Sequence, residues 1–366
     1  MVEAARKLSI APDVTPDEVS PHALFLRTPA FGSLDGLRAI AILMVVWHHT
    51  HGGISQWPIS RRGFIGVDLF FVISGFLIVT LILRERRKTG GTSLSRFYLR
   101  RFLRIFPPYY TALLLVTLAA LLKKGTTSWA ILHDAPYALV YVSNLVPMVS
   151  LLSITWSLST EEQFYLVVPT VEKLAPSVFP KLLPVAYVLV ALPPFGLLPS
   201  LHLPNFFRET TFGPILLGVM LAHALDNPRG FRWVYRVAGA WWSPIPALCA
   251  FVISLSYPGE DISGWPRLVI HVAIVCLVAS CVVREDHALR PPLSFRPLQR
   301  IGVVSYGIYL YHLIVAHFVQ RGMIRLGFST QLLSFVGTSL GTWLVAEASY
   351  RLFESRILAL KSRFAA

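Results

Sequence analysis

LDGLRAIAILMVVWHH, Leu34 to His49, decides how this chain is read. It is an apolar helix with a guanidinium near one end and an imidazole at the other. Eleven positions at about 100° each come to about 1100°, so Arg38 and His49 fall within about 20° of one another on one helix face, about 16 Å apart along the axis. His48 points about 80° from that face and His51 about 140°. Charged and titratable side chains are costly in a membrane-spanning helix unless they line an internal cavity. Arg38 and His49 are therefore candidates for function.

Composition agrees with a membrane setting. Of 366 residues, 54% are hydrophobic and only 14% charged, where soluble domains carry about a quarter charged residues. The mean hydropathy is +0.60. The expected fold class is all-α, a polytopic membrane helical bundle. Residues 1–30 hold Glu3, Arg6, Lys7, Asp13, Asp17, Glu18 and Arg27 with no continuous apolar core, so they read as a polar cytoplasmic tail and not as a signal peptide. The membrane domain is expected over 31–356, with a short cytoplasmic tail over 357–366. Cys249, Cys276 and Cys281 sit in apolar runs without metal-ligand spacing, so no metal site or disulfide is expected. The net charge of +14 lies in short loops and not on one soluble face. That pattern fits the positive-inside rule and membrane lipids as partners, and no nucleic acid is expected.

Eight Lys/Arg against one acid, Glu85, fall between Arg84 and Arg104, which marks that loop as cytoplasmic. Apolar runs long enough to span occur near 34–51, 64–83, 107–123, 134–152, 154–171, 181–200, 208–226, 238–256, 267–283, 300–319 and 331–353. With all eleven counted as crossings, the loops of Arg229/Arg232/Arg236 and of Arg284 to Arg300 face outside and Glu260/Asp261 faces inside, against the rule. Removing one crossing within 134–171, where Pro147 and WSLSTEEQ interrupt the pattern, corrects all three. About ten transmembrane helices are expected, with a re-entrant or broken element in 134–171 and both termini in the cytoplasm.

Four further stretches carry polar groups in apolar surroundings. GFIGVDLFFVISGFLI buries Asp68, which either pairs with an arginine or histidine to lock the first two helices or orients a catalytic histidine. RFYLRRFLRIFPPYY gathers Arg100, Arg101 and Arg104 at the membrane face, for topology and lipid head groups or as a cradle for phosphates. TWSLSTEEQFYL places Glu161 and Glu162 between Trp156 and Tyr165. Adjacent helix positions differ by about 100°, so both carboxylates cannot face one cavity. SYGIYLYH sets Ser305, Tyr309 and His312 on one stripe at i, i+4 and i+7, which serves interhelical hydrogen bonding or a substrate. In the last span, Arg351 and Glu354 are expected to form a local ion pair. GxSxG, P-loop, HExxH and CxxC motifs are absent.

In this order the motifs resemble the bacterial acyltransferase family 3 of integral-membrane O-acyltransferases: LDGLRAIA with Arg-x10-His ending at His49, GVDLFFVISGFLI, RRFLRIFPPYY, TWSLSTEEQFY and SYGIYLYH, from Leu34 to about Glu354. The resemblance implies transfer of an acyl group, often acetyl, from cytoplasmic acyl-coenzyme A to a hydroxyl of a cell-surface or exported glycan or a glycosylated small molecule, at the bacterial cytoplasmic (inner) membrane. It places Arg38 and His49 on the family's essential pair, Arg100, Arg101 and Arg104 on its basic motif, and Glu161 on the glutamate of its central motif. Members commonly carry a proline just after the glutamate that ends the last span, whereas Glu354 is followed by Ser355 and Arg356. Some larger members carry a soluble esterase-like domain. None follows here, so the membrane unit is expected to act alone or with separate partners.

The expected mechanism has His49 as general base toward the acceptor hydroxyl, with Glu161 and Asp68 in the catalytic set. Arg38, Arg100, Arg101 and Arg104 bind the donor phosphates or steady charge on the carbonyl oxygen. Trp156, Ser305, Tyr309 and His312 contact substrate or orient the base. A covalent acyl-His49 intermediate is the alternative route. The competing class is a transporter or flippase of a glycan or lipid-linked substrate, whose path buried charges also mark. It lacks the support of an internal repeat.

Overall fold

The computed structural model describes residues 20–51, 58–123, 125–191, 209–328 and 330–359. Among these, every regular element is helical. In chain order the main helices are α1 (Pro21–Arg27), α2 (Gly32–His51), α3 (Ile65–Thr89), α4 (Leu94–Leu122), α5 (Thr126–Leu139), α6 (Thr155–Leu174), α7 (Phe179–Ala191), α8 (Glu209–Asp226), α9 (Pro228–Ala238), α10 (Pro244–Leu255), α11 (Trp265–Val282), α12 (Arg296–Val303), α13 (Ser305–Arg325) and α14 (Gln331–Ser349).

The core is α3. Nearly all of its residues from Ile65 to Leu83 are buried, as expected of a helix that is apolar on every side. It packs closely on α8 because each helix offers a glycine to the other's backbone. A Cβ at Gly75 would lie 2.2 Å from the Ile215 carbonyl oxygen, and one at Gly218 would lie 2.2 Å from that of Val72. Only hydrogen fits at both positions. A third close approach seats α2 against α12, where a Cβ at Gly302 would lie 1.9 Å from the Asp35 carbonyl oxygen.

Helices α3, α4 and α11 are each long and apolar enough to cross a membrane, and the number is five if two bent pairs count as spans, α1 with α2 (70°) and α12 with α13 (76°). Three shorter apolar helices, Phe179–Ala191, Phe212–Asp226 and Pro244–Leu255, accompany them. The expected span over 181–200 lies partly outside the described residues, as do the tip at 52–57, residues 1–19 and 360–366. Leu114, Leu115, Leu118, Leu121 and Leu122 of α4, Val185 and Leu189 of α7, and Leu340 and Leu344 of α14 are exposed, an apolar surface suited to lipid contact.

Three expectations about local structure change. The tail over 1–30 gives way at Pro21 to α1, whose Phe25 is buried against Phe31 and Phe231, each ring centroid 5.7 Å away. The expected third span, near 107–123, is part of α4, which starts at Leu94 and runs through Pro107 and Pro108 for 29 residues, about 44 Å at 1.5 Å per residue. The arginine cluster and the lipid-facing leucines thus share one rigid element. Arg351 pairs with Glu347 (2.5 Å) and not with Glu354, because Glu347 is one turn back and is already fixed by both nitrogens of Arg300 (2.8 and 2.9 Å). Glu354 accepts a hydrogen bond from Ser349 Oγ (2.8 Å).

Between α5 and α6, residues 140–150 leave the helical pattern. Asp134, fully buried, holds this connection by accepting hydrogen bonds from the amides of Val149 (2.9 Å) and Ser150 (2.7 Å). Buried irregular backbone needs such partners.

Contacts sort the loops into two ends. At one end Arg86 meets Glu172 (2.8 Å), Arg87 meets Asp226, Phe25 meets Phe231, and Ser33 Oγ hydrogen-bonds His287 Nε2 (2.8 Å). At the other, Arg62 donates to the carbonyls of Leu255 (2.8 Å) and Gly259 (2.5 Å), and Arg61 lies 3.6 Å from Glu260.

Candidate active site

Two cavities sit at opposite ends of α2. The first, about 100 Å³, is lined by Arg38 of α2, Arg101, Arg104 and Ile105 of α4, Ser74 and neighbouring apolar residues of α3, Ser157, Glu161 and Tyr165 of α6, and Ser305, Tyr306 and Tyr309 of α13. The second, about 490 Å³, is lined by His49 of α2, Thr126, Thr127 and Ala130 of α5, Ser150, and Ala316, His317 and Gln320 of α13.

In the first cavity, Glu161 accepts hydrogen bonds from Ser74 Oγ and Tyr165 Oη. Both bonds fall on Oε1, and the carboxylate shares the cavity with three guanidinium groups. Arg38 has one weak partner, Asp35, at 3.2 Å. Arg101 lies over the rings of Tyr165 (4.9 Å) and Phe97 (5.8 Å) and has no ion pair among the described residues, and the same holds for Arg104 at the mouth. Three guanidinium groups against one carboxylate leave the cavity an excess of positive charge, and the guanidinium fork suits phosphate oxygens. Arg100 does not line the cavity and instead meets Glu85 (3.3 Å).

In the second cavity, His49 Nδ1 lies 2.9 Å from the Val45 carbonyl oxygen and 3.2 Å from Nε2 of the fully buried His312. His48 instead packs beside Phe64, ring centroids 5.4 Å apart, and does not line either cavity. The wall between the cavities is built from α13 and the start of α6. Tyr309 Oη donates to the Ile154 carbonyl (3.0 Å) and accepts from Ser157 Oγ (2.7 Å).

Asp68 belongs to neither cavity. It pairs with Arg267 (2.7 Å) and His271 (3.2 Å), all three side chains being buried. Of the two roles expected for Asp68, the contacts match pairing with an arginine and a histidine. The partner lies on α11, not α2, because the acid is desolvated on the face of α3 turned toward that helix. Trp156 is likewise outside the linings, its ring edge-on to Phe71 at 6.1 Å. Of the α13 stripe, Ser305 and Tyr309 line the first cavity, and His312 supports His49 at the second. The sequence reading missed Gln320 and His317, although the period that joins Ser305, Tyr309 and His312 continues through Ala316 to Gln320. Thr126, Thr127 and Ser150 carried no signal, since only the buried Asp134 brings that connection to His49.

The profile of a family described as an acyltransferase domain matches residues 31–347. Among proteins of known description, the chain is 30% identical over 310 residues to the peptidoglycan O-acetyltransferase OatA of Listeria monocytogenes, which covers 76% of this chain and 48% of that protein. It is 29% identical over 352 residues to the O-acetyltransferase OatA of Staphylococcus aureus, covering 88% of this chain and 56% of that one. The chain spans about half the length of the curated relatives it matches. No solved structure matches.

Proposed function

We propose a function from one premise: this chain belongs to the acyltransferase domain family. It is an O-acyltransferase that moves an acyl group, acetyl in the first instance, from acyl-coenzyme A to a hydroxyl of a cell-surface glycan. The observation that carries this reading is the placement of an anion-seeking cavity and a histidine-lined cavity at the two ends of one helix, with Tyr309, His312 and Ser157 between them.

The arginine cavity receives the donor. At about 100 Å³, it holds only part of a coenzyme A thioester. The phosphates rest at the mouth with Arg101 and Arg104, and the thioester arm points past Arg38 toward Tyr309. The larger cavity, edged by Thr126, Thr127, Ser150 and Gln320, receives the acceptor. His49 takes the proton of the acceptor hydroxyl as its oxygen attacks the thioester carbonyl. When the carbon–sulfur bond breaks, the same proton passes to the departing thiolate. An acyl-His49 intermediate reaches the same products in two steps.

The topology belongs to the same proposal: about ten crossings of the bacterial inner membrane, both termini cytoplasmic, donor cavity inside and His49 outside. It is supported by the grouping of the Arg84–Arg104, Arg229–Arg236 and Arg284–Arg300 loops at one end of the bundle. The test is thiol release from labelled acetyl-coenzyme A by the purified protein in lipid nanodiscs, with a muramoyl glycan as acceptor. Release that depends on His49 is expected. No release, or full release by a correctly inserted His49→Ala variant, overturns the reading, and a transporter predicts none at all.

A further inference from the structure

We infer that His312 is a positioning residue that fixes the tautomer of His49 by accepting its Nδ1–H, in the place where other acyl-transfer sites use a carboxylate. The inference rests on the proposed role of His49. It follows from the protons that three short contacts require.

A backbone carbonyl only accepts hydrogen bonds. His312 Nδ1 lies 2.7 Å from the Tyr309 carbonyl oxygen, so the proton of the neutral His312 ring is on Nδ1 and its Nε2 presents a lone pair. His49 Nδ1 lies 2.9 Å from the Val45 carbonyl oxygen and must also carry a proton. That N–H is therefore shared between two acceptors, the Val45 oxygen and His312 Nε2 at 3.2 Å. The remaining nitrogen of His49, Nε2, is left unprotonated on a ring that lines the larger cavity. A base in this tautomer is ready to accept a proton from a hydroxyl. The opposite tautomer sets an unprotonated nitrogen against a carbonyl oxygen at both histidines. The tautomer of a working histidine is commonly set by what its other nitrogen meets.

His312 is well placed to hold this arrangement. It is fully buried, its ring centroid is 4.9 Å from that of His49, and it follows Tyr309 on the helix that separates the cavities. The other titratable groups around His49 are His48, with ring centroids 5.1 Å apart, and His317 across the cavity. No carboxylate contacts His49 among the described residues: Asp68 is held by Arg267 and His271, and Glu161 by Ser74 and Tyr165. When His49 takes the acceptor proton on Nε2, its Nδ1–H strengthens toward His312 Nε2. His312 thereby holds the ring in its orientation and tautomer, as the aspartate of a serine-protease triad holds its histidine.

Two variants test this. His312→Leu removes the acceptor, and His312→Gln retains one in its amide oxygen. In nanodiscs, with monodisperse elution and unchanged acetyl-coenzyme A binding as the fold controls, kcat for thiol release should fall about 10- to 100-fold in His312→Leu, with the donor KM within two-fold and the acid limb of the pH profile displaced. His312→Gln should recover most of the loss. In ¹⁵N-histidine spectra, His49 of the unaltered protein should show a protonated Nδ1 and a pyridine-type Nε2, and His312→Leu should show mixed tautomers. An unchanged kcat in His312→Leu, equal losses in both variants, or an Nε2-protonated His49 in the unaltered protein overturns the inference. The spectra do not depend on transfer, so a failure of the proposed reaction is distinguishable from a failure of this role.

Discussion

Replacing Arg101 by glutamine removes one of the three guanidinium groups of the donor cavity and leaves the fold of α4 intact. Arg101 is half-buried, stacks on Tyr165 and Phe97, and has no acidic partner, so its charge is free to act on a ligand. A charge-assisted hydrogen bond at such a position is worth about 1.5–3 kcal/mol, which at an RT of about 0.59 kcal/mol is roughly a 10- to 150-fold rise in the acetyl-coenzyme A KM. Arg104 is exposed at the mouth, where an ion pair is worth about 0.2–1 kcal/mol, so Arg104→Gln should raise KM by about five-fold at most. Both effects should shrink between low and high salt, that of Arg104 more, because exposed charges are screened beyond about 10 Å at 0.1 M. Loss of ground-state and transition-state binding together leaves kcat unchanged. Arg101→Lys should not restore affinity, since it lacks both the fork and the stack. Steady-state thiol release over a donor titration reads all of this. A fall in kcat at constant KM in Arg101→Gln, or a larger effect at Arg104 than at Arg101, refutes the assignment.

Asp68→Asn leaves the buried Arg267 guanidinium without its counter-charge, which costs about 3–5 kcal/mol when one member of a buried pair is removed. Its unfolding temperature in detergent should drop while kcat per folded molecule stays near the original value, and the converse result returns Asp68 to the chemistry. His287 lies in the loop after α11, where burial, followed by the nearby Arg290, pushes its imidazole down from the usual 6.5 to about 4. Its folded form binds protons more weakly than the unfolded chain, so this contribution to stability is complete above about pH 6.5 and is lost as the pH falls toward 4. Replacing His287 with glutamine, which can still hydrogen-bond Ser33, should flatten thermal stability across that window, and an unchanged slope counts against the assignment.

Much of the site was legible where one helix carries it. The eleven-residue interval between Arg38 and His49 placed both on one face, and the structure puts one at each cavity. Spacing did not separate Arg100 from Arg104, which stand four positions apart on α4, and only the pairing of Arg100 with Glu85 does so. Partners distant in sequence were not legible. Asp68 and Arg267 are 199 positions apart, and His49 and His312 are 263 apart, so the local pattern exposed the need for a partner without saying which. Helix breaks were not legible for another reason. Periodicity in an apolar chain marks burial and lipid exposure alike, and the bend between α12 and α13 at Val304 falls inside one continuous apolar run, 300–319.

Sidedness tests the account most directly. Proteoliposomes are prepared with acetyl-coenzyme A supplied to one face and the glycan acceptor to the other, the orientation being fixed by protease access to the Arg84–Arg104 segment. Acetylated glycan is expected only when the donor is on the face bearing that segment, and none is expected from His49→Ala, whose donor binding should persist. Transfer with the donor on the opposite face, or transfer by the His49 variant, contradicts the central claim that α2 joins a donor cavity to the histidine that performs the chemistry.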